Sequence, residues 1–183
     1  MRATLLALSA AAVLAAPAQA QLDRLSLEVR GGAAAGNYAR AASDFELLPQ
    51  PSFGAALAYA ATDRVSVYAG YSRNSFGCQT GFCEDRDVTF TSHGIDAGVR
   101  LGLPVVAGPW VSAGIVRHSL EADSNGTPTM SDSGVGFSAG AGAELRLGRR
   151  LSVTPGVRYV RYGAAGDDGV AILVGDVGLR IRM

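Results

Sequence analysis

After residue 20 the sequence divides into eight strand-length segments in which apolar and polar side chains alternate. The connections between these segments also alternate, first long and acidic, then short and rich in Gly, Pro or Arg. An even number of antiparallel strands returns the last strand to the first and leaves no unpaired edge. The pattern therefore predicts an all-β fold, an eight-stranded antiparallel up-and-down barrel with two different ends. The predicted strands are 25–35, 52–61, 65–74, 88–103, 110–120, 134–147, 151–162 and 170–183.

The first 20 residues have the pattern of a secretory signal peptide. Arg2 supplies the positive charge, an apolar run covers 5–16, and Ala-Gln-Ala at 18–20 has the small-x-small form of a cleavage site. The apolar run is too short to cross a bilayer as a helix. We therefore expect a signal peptide at 1–20 and an exported barrel domain at 21–183.

Each predicted strand has one apolar face and one face of Gly, Ser and charged residues. A water-soluble barrel turns its apolar face inward, whereas an outer-membrane barrel turns that face towards lipid. Eight strands enclose a lumen that side chains can fill, and acids and arginines can neutralise one another there. The charges favour a transmembrane barrel, although a solvated polar face is the alternative. The predicted lumen network is Glu28, Arg30, Asp96, Arg100, Glu144, Arg146, Arg158, Asp176, Arg180 and Arg182.

Aromatic residues near the predicted strand ends also favour a membrane barrel. Such barrels carry aromatic girdles at both interfaces, although aromatics scattered through a core would give a similar pattern. The candidates near the long connections are Phe53, Tyr71, Phe90, Phe137 and Tyr159, and those near the short connections are Tyr59 and Trp110.

With these features the chain resembles the small bacterial outer-membrane β-barrel proteins: the OmpA transmembrane domain, OmpX and the opacity-type surface proteins. The resemblance covers 21–183 and includes a C-terminal pattern that the barrel-assembly machinery recognises. The resemblance implies an outer-membrane location, insertion by that machinery, short turns in the periplasm and long connections outside. The residues that carry the C-terminal signal are Asp176, Gly178, Leu179, Ile181 and Met183, and Met183 stands where such proteins usually end in Phe or Tyr.

The four long connections, at 36–51, 75–87, 121–133 and 163–169, contain ten acidic residues and two arginines. Acidic loops that stay well solvated explain this composition. The alternative is an acidic cap that repels polyanions or binds divalent cations weakly, since no complete calcium-loop motif is present. We expect no specific metal site.

Cys78 and Cys83 lie in the second long connection of an exported chain. Their spacing suits a small disulfide ring at the loop tip, which would stabilise by about 2 kcal/mol on the loop-entropy model. Two thiols without a nearby His make a metal site a poor alternative.

Three arginines, Arg73, Arg117 and Arg161, share the parity of the apolar face near the long-connection ends of their strands. They could contact the phosphate groups of lipopolysaccharide. Alternatively, these strands continue beyond the membrane into water. His93 has the same parity, and a bulge near Gly94 would turn its side chain inward.

Some eight-stranded outer-membrane barrels, such as the lipid A deacylases, use a His and a Ser two residues apart on one strand face. Here His118 and Ser119 are adjacent, as are Ser92 and His93, so each pair points to opposite faces. We therefore expect neither an enzyme nor a catalytic or cofactor-binding residue.

The expected function is that of a structural or surface-interaction, adhesin-like barrel that acts through its four acidic loops. A narrow or gated pore and a lipid A-modifying enzyme are the alternatives. We expect a monomer whose partners are outer-membrane lipid, lipopolysaccharide and the barrel-assembly machinery during biogenesis. The sequence names no extracellular partner and gives no sign of nucleic-acid binding.

Overall fold

A computed structural model describes residues 23–40, 43–78, 88–104, 108–124, 127–163 and 169–183. Nearly all of these residues are in strands, and none of them forms a helix of the length and hydropathy needed to span a bilayer. The strands are β1 (Leu25–Arg40), β2 (Ser43–Ala60), β3 (Val65–Cys78), β4 (Val88–Gly102), β5 (Pro109–Ser124), β6 (Thr127–Ala143), β7 (Leu145–Arg146), β8 (Leu151–Gly163) and β9 (Gly169–Arg182).

The strands form one closed antiparallel sheet, because each strand pairs with its neighbour in sequence and β9 pairs with β1. The two-residue β7 continues β6 after an interruption at Glu144, and both pair with β8. The barrel therefore has eight strands, which confirms the predicted fold. The interruption lies opposite Thr154 and Pro155, where the prolyl nitrogen cannot donate to the ladder.

The strand register gives the tilt of the barrel. Directly paired residues lead from Glu28 once around the barrel and return to β1 at Tyr38, ten residues further along. Ten residues of about 3.3 Å against eight strand spacings of about 4.8 Å correspond to a tilt of about 40°. This tilt is within the range of transmembrane barrels, and the lumen it leaves is narrow enough for side chains to fill.

We call the strand ends at the predicted long connections the outer ends, and those at the short turns the inner ends. The strands extend further at their outer ends than the sequence predicts. The β1–β2 ladder continues to the pair Arg40 and Ser43, and the β5–β6 ladder to Ser124 and Thr127. The prediction of long loops at 36–51 and 121–133 is therefore wrong. In these two segments the outward residues form no apolar face, so the alternation of outward apolar and inward polar residues that predicts a strand is absent. The backbone pairing nevertheless continues.

Prolines explain one irregularity in these extensions. The β2–β3 register shifts between Pro49 and Ser52, where Pro49 and Pro51 lack the N–H that a ladder requires. The remaining parts of the predicted loops, at 79–87 and 164–168, lie outside the described residues.

The faces of the barrel follow the predicted membrane arrangement. Large apolar side chains cover the outside, and Phe53, Ile95, Ile115 and Val135 are 61–69% exposed. We call the outward apolar residues the lipid-facing belt. Tyr59, Tyr71, Phe137 and Tyr159 also face outward, as predicted.

The girdle prediction is wrong for Phe90 and Trp110, which are buried inside the barrel. Each shares the parity of inward residues on its own strand, with Ser92 following Phe90 and Ser112 following Trp110. The prediction assigned both residues to a membrane interface because they lie near strand ends. Their parity along the strand indicates the lumen instead, where the structure has them.

Candidate functional site in the barrel lumen

The lumen contains two regions of opposite chemistry. The half nearer the short turns holds ionised side chains, which we call the charged layer. The half nearer the outer hairpins holds apolar side chains, which we call the apolar cap. The charged layer comprises Glu28, Arg30, Asp96, Arg100, Glu144, Arg158, Asp176, Arg180 and Arg182. The apolar cap comprises Ala34, Tyr38, Leu47, Phe76, Phe90, Val116, Leu120, Ala122, Val160, Tyr162, Val170, Ile172 and Val174.

Glu28 is the hub of the charged layer. Arg100 reaches across the lumen and donates two hydrogen bonds to the Glu28 carboxylate, at 2.8 and 3.2 Å. Arg180 lies directly opposite Glu28 in the β1–β9 register, and its Nε and Nη2 donate to Glu28 Oε2 at 2.9 and 2.6 Å. Charge-assisted pairs of this geometry are the strong ones. Glu28 therefore fixes two arginines from strands on opposite sides of the barrel.

Glu144 extends this tight pairing towards the short-turn end. Its carboxylate accepts hydrogen bonds from Arg180 Nη1 at 2.9 Å and from Arg182 Nη2 at 2.7 Å. The Ser152 hydroxyl donates a third, at 3.2 Å. Arg180 thus bridges Glu28 and Glu144. We call Glu28, Arg100, Glu144, Arg180 and Arg182 the inner tier of the charged layer, and this tier is continuously hydrogen-bonded.

The remaining residues of the charged layer, Arg30, Asp96, Arg158 and Asp176, form its outer tier, in which the charged groups lie further apart. Asp96 Oδ2 lies 3.5 Å from Arg158 Nη1 and 3.9 Å from Arg30 Nη2, and Arg158 Nη2 lies 3.5 Å from Asp176 Oδ2. Both carboxylate oxygens of the buried Asp96 lack a hydrogen-bond partner among the described residues. The outer tier is therefore held by charge, without the short hydrogen bonds of the inner tier.

Arg146 is the one predicted network residue that lies elsewhere. It is exposed at the short-turn mouth of the barrel, on β7 beyond the interruption at Glu144. The strand has passed the end of the enclosed lumen at this point, so the prediction that Arg146 belongs to the network is wrong.

A buried hydrogen-bonded group joins the charged layer to the apolar cap. The Tyr162 hydroxyl donates to Ser92 Oγ at 2.8 Å, and Ser92 Oγ lies 3.2 Å from His118 Nδ1. The sequence reasoning missed this Ser–His pair because it searched along single strands. The two residues lie on neighbouring strands with the same inward parity, which is the signal that could have revealed them. Ser92 and His118 are at most 1% exposed, so a substrate has no access to the hydroxyl.

The apolar cap closes the outer half of the lumen. Four of its side chains, Tyr38, Leu47, Phe76 and Leu120, are at most 2% exposed. The sequence reasoning missed the cap because it assigned apolar residues to the lipid-facing side along each whole strand, and because it treated the strand ends that contain Tyr38, Leu47 and Phe76 as loops. On β9 the change is visible in the sequence, since Val170, Ile172 and Val174 share the parity of Asp176.

On the outside of the barrel, four basic side chains of the described residues stand at the outer edge of the lipid-facing belt. Arg73, Arg117 and Arg161 are exposed, each two residues beyond an outward apolar residue of its strand. His93 lies directly opposite Arg73, and its Nε2 is 3.9 Å from Glu121 Oε1. We call these four residues the basic arc. The register runs unbroken through His93 and Gly94, so the suggested bulge there is wrong.

The C-terminal residues take part in the same structure. Asp176 belongs to the charged layer, and Leu179, Ile181 and Met183 face outward. A β-carbon at Gly178 would lie 3.2 Å from Cγ of both Glu28 and Arg30, so glycine leaves space for the network. Cys78 ends β3, whereas Cys83 lies outside the described residues, so the disulfide stays a prediction.

Comparisons with known proteins agree with this architecture. The sequence matches the family model of the outer membrane protein beta-barrel domain over residues 5–179. Neisserial surface protein A has 15% identity and a TM-score of 0.62, covering 86% of this chain and 97% of that chain. Ail, the attachment invasion locus protein of Yersinia pestis, in complex with the heparin analogue sucrose octasulfate, has 14% identity and a TM-score of 0.53, covering 86% and 99%.

A third similar structure is the outer membrane protein AlkL in DMPC bilayers, with 12% identity and a TM-score of 0.55, covering 87% of this chain and 90% of that chain. At these identities the structural likeness concerns the fold. No curated protein sequence matches the chain.

Proposed function

Because this chain belongs to the outer membrane protein beta-barrel family and is located in the bacterial outer membrane, we propose that it is a sealed, non-enzymatic membrane anchor that acts at the cell surface. Its barrel holds the outer hairpins in place and conducts no solutes. The observation that carries this proposal is the double closure of the lumen by the charged layer and the apolar cap.

The two closures exclude solutes by different means. In the charged layer, Arg100 and Arg180 meet on Glu28 from opposite walls, so the hydrogen-bonded side chains span the lumen. In the cap, Phe76, Phe90 and Leu120 are at most 5% exposed, so these side chains exclude nearly all water. A steady pore would require both regions to rearrange, at the cost of uncompensated buried charge and exposed apolar surface.

The outer hairpins are the part of the barrel available for surface contacts. β1 and β2, like β5 and β6, stay paired to their tips, so they present ordered strands above the lipid-facing belt. Glu46 and Glu121 are exposed on these extensions. A contact role of the class named for Ail, the attachment invasion locus protein, is consistent with such a platform.

Single-channel recording on the refolded protein in planar bilayers tests the sealed barrel. We expect no steady openings under an applied potential. Heat-modifiable gel mobility of the same sample verifies that the protein is folded. Regular, long-lived openings of the folded protein would show that the lumen conducts and would favour the gated pore.

We also propose that the basic arc binds phosphate groups of lipopolysaccharide. Its position carries this proposal, because Arg73, Arg117 and Arg161 stand where the apolar surface of β3, β5 and β8 ends. Guanidinium groups pair with phosphate through two hydrogen bonds, and near an interface a charge costs little.

The test compares two triple variants of equal charge change. Arg73→Gln, Arg117→Gln and Arg161→Gln remove the arginines of the arc, whereas Arg64→Gln, Arg149→Gln and Arg150→Gln remove exposed arginines from the short turns. We expect lipopolysaccharide affinity to fall about tenfold or more in the first variant alone. Equal losses in both variants would indicate attraction by net charge and would contradict a localised site.

A further inference from the structure

The short-turn mouth of the barrel, which faces the periplasm, opens into a cavity of about 1070 Å³. Its walls come from the ends of β1 to β5 and of β9, from the turn between β2 and β3, from residues between β4 and β5, and from β7. Its floor is the inner tier of the charged layer. We call this cavity the vestibule. It is large enough for a small organic ion.

Cations dominate the lining of the vestibule. Among the described residues, six arginines and three carboxylates contribute to it. The single lining carboxylate at the floor, Glu144, is already bound to Arg180 and Arg182. Arg64 and Arg146 at the rim are exposed and form no ion pair within the described part of the chain. The lining arginines are Arg24, Arg64, Arg100, Arg146, Arg180 and Arg182, and the carboxylates are Asp23, Asp63 and Glu144.

Trp110 and Arg100 form a stacked pair at the floor of the vestibule. Trp110 and Arg100 both line the cavity at 7% and 8% exposure, and the Arg100 guanidinium lies 4.2 Å from the centre of the Trp110 ring. Trp110 Nε1 and Arg100 Nε have no hydrogen-bond partner among the residues that the structure describes. Buried polar atoms normally have partners. Both nitrogens are themselves enclosed, so the two side chains face the vestibule with the small exposed part of the indole and of the guanidinium.

The indole lies in a slot that the backbone provides. A β-carbon on Gly142 would come within 2.6 Å of the Trp110 ring, and one on Gly156 within 2.9 Å. Any larger residue at either position would displace the ring. The two glycines therefore leave the space that the Trp110 ring occupies next to Arg100 at the floor of the cavity.

We propose that the vestibule binds an anion that carries two or more phosphate or carboxylate groups. Arg64 and Arg146 contact it at the rim, and Arg100 and Trp110 at the floor. Phosphate of this kind is available from soluble periplasmic anions and from the headgroups of anionic lipids in the adjoining leaflet. The chemistry of recognition is the same for both sources. The proposal does not depend on whether the lumen conducts.

Trp110 is the only tryptophan of the chain and serves as the reporter. The full barrel in nanodiscs of phosphatidylcholine is titrated with inorganic pyrophosphate while the Trp110 fluorescence is recorded. A parallel sample in nanodiscs that contain phosphatidylglycerol, without pyrophosphate, tests the lipid source. We expect a saturable fluorescence change with pyrophosphate, a shifted emission with phosphatidylglycerol, or both.

A matched pair of variants localises the effect. Arg64→Gln with Arg146→Gln removes the rim of the site, and both residues are exposed, so the fold should be retained. Arg149→Gln with Arg150→Gln removes the same charge from exposed residues of the same end that do not line the vestibule. We expect about tenfold weaker binding in the first variant and unchanged binding in the second.

Two results would overturn the proposal. One is the absence of any fluorescence response to both pyrophosphate and phosphatidylglycerol in the unaltered protein. The other is an equal loss of response in the two double variants, which would mean that general electrostatic attraction explains the binding.

Discussion

The charged layer and the apolar cap occupy the same lumen and the same inward parity, yet their chemistry is opposite. The chemistry of the lumen at each level depends on whether lipid or water surrounds the outside of the barrel at that level. On β5, the outward residues are apolar up to Ile115 and polar from Arg117 onward. The inward residues become mainly apolar at nearly the same level, from Val116 to Ala122. The barrel is therefore turned inside out within the lipid and has the arrangement of a soluble protein above it.

This inversion shows that each part of the wall needs one face that excludes water. Within the membrane, lipid covers the apolar face, so the lumen can hold charges that neutralise one another. Beyond the membrane, water wets the outside, so the apolar face must be buried in the lumen. The basic arc marks the level at which the two arrangements meet.

The largest expected effect comes from removing the hub of the charged layer. Glu28→Gln leaves Arg100 and Arg180 buried without the carboxylate that binds both of them. We expect a loss of about 3–5 kcal/mol in the free energy of unfolding, because a buried charge is left uncompensated. Urea unfolding of the refolded barrel in micelles, followed by gel mobility, measures it. A loss below about 1 kcal/mol would mean that the hub is water-accessible.

The next effect concerns the cap. Leu120→Ala leaves a cavity at a fully buried position of β5, and we expect a loss of about 2–5 kcal/mol. The matched control is Ile115→Ala, which truncates a side chain of similar size on the same strand but in the lipid-facing belt. Urea unfolding compares the two variants. Equal losses would contradict the assignment of Leu120 to a packed cap.

A smaller effect distinguishes the two tiers of the charged layer. Asp96→Asn removes a carboxylate that makes no hydrogen bond to the described residues and lies 3.5 Å or more from its arginines. We expect a loss of roughly 1–3 kcal/mol, less than that of Glu28→Gln under the same conditions. A larger loss than that of Glu28→Gln would reverse the order of the tiers.

The smallest effect lies outside the barrel. Glu121→Gln removes an exposed carboxylate that lies 3.9 Å from His93 Nε2. Exposed pairs of this kind contribute little, so we expect a change of less than about 0.5 kcal/mol. The same urea titration checks it. A loss comparable to that of Asp96→Asn would show that the strand extensions depend on surface charge.

The sequence predicted the membrane-embedded half of the barrel well and its outer half poorly, for one physical reason. Within the membrane a single rule holds, with apolar side chains outward and polar ones inward, so Glu28, Arg100 and Arg180 were placed correctly. Above the membrane the rule reverses. The prediction assumed that apolar residues face outward along the whole strand. It therefore took the strand end that contains Tyr38 for a loop, and it did not expect an apolar residue such as Leu120 to face the lumen.

Contacts between strands were the second gap. Alternation along one strand reveals which face a residue occupies, but the register between strands decides which residues meet. The Ser92–His118 pair and the bridging position of Arg180 both depend on that register. The misplacement of Phe90 and Trp110 had a simpler cause, because their parity already indicated the lumen.

The inversion of β5 can be measured directly by the collision of spin labels with oxygen and with a water-soluble nickel complex. Ile115→Cys and Glu121→Cys, each in a Cys78→Ser and Cys83→Ser background, place a label on the same outward face at two levels. In reconstituted vesicles, we expect the label at 115 to be relaxed by oxygen and the label at 121 by nickel. Relaxation of both labels by the same partner would contradict a change of environment between Ile115 and Glu121, and with it the two-region account of the barrel.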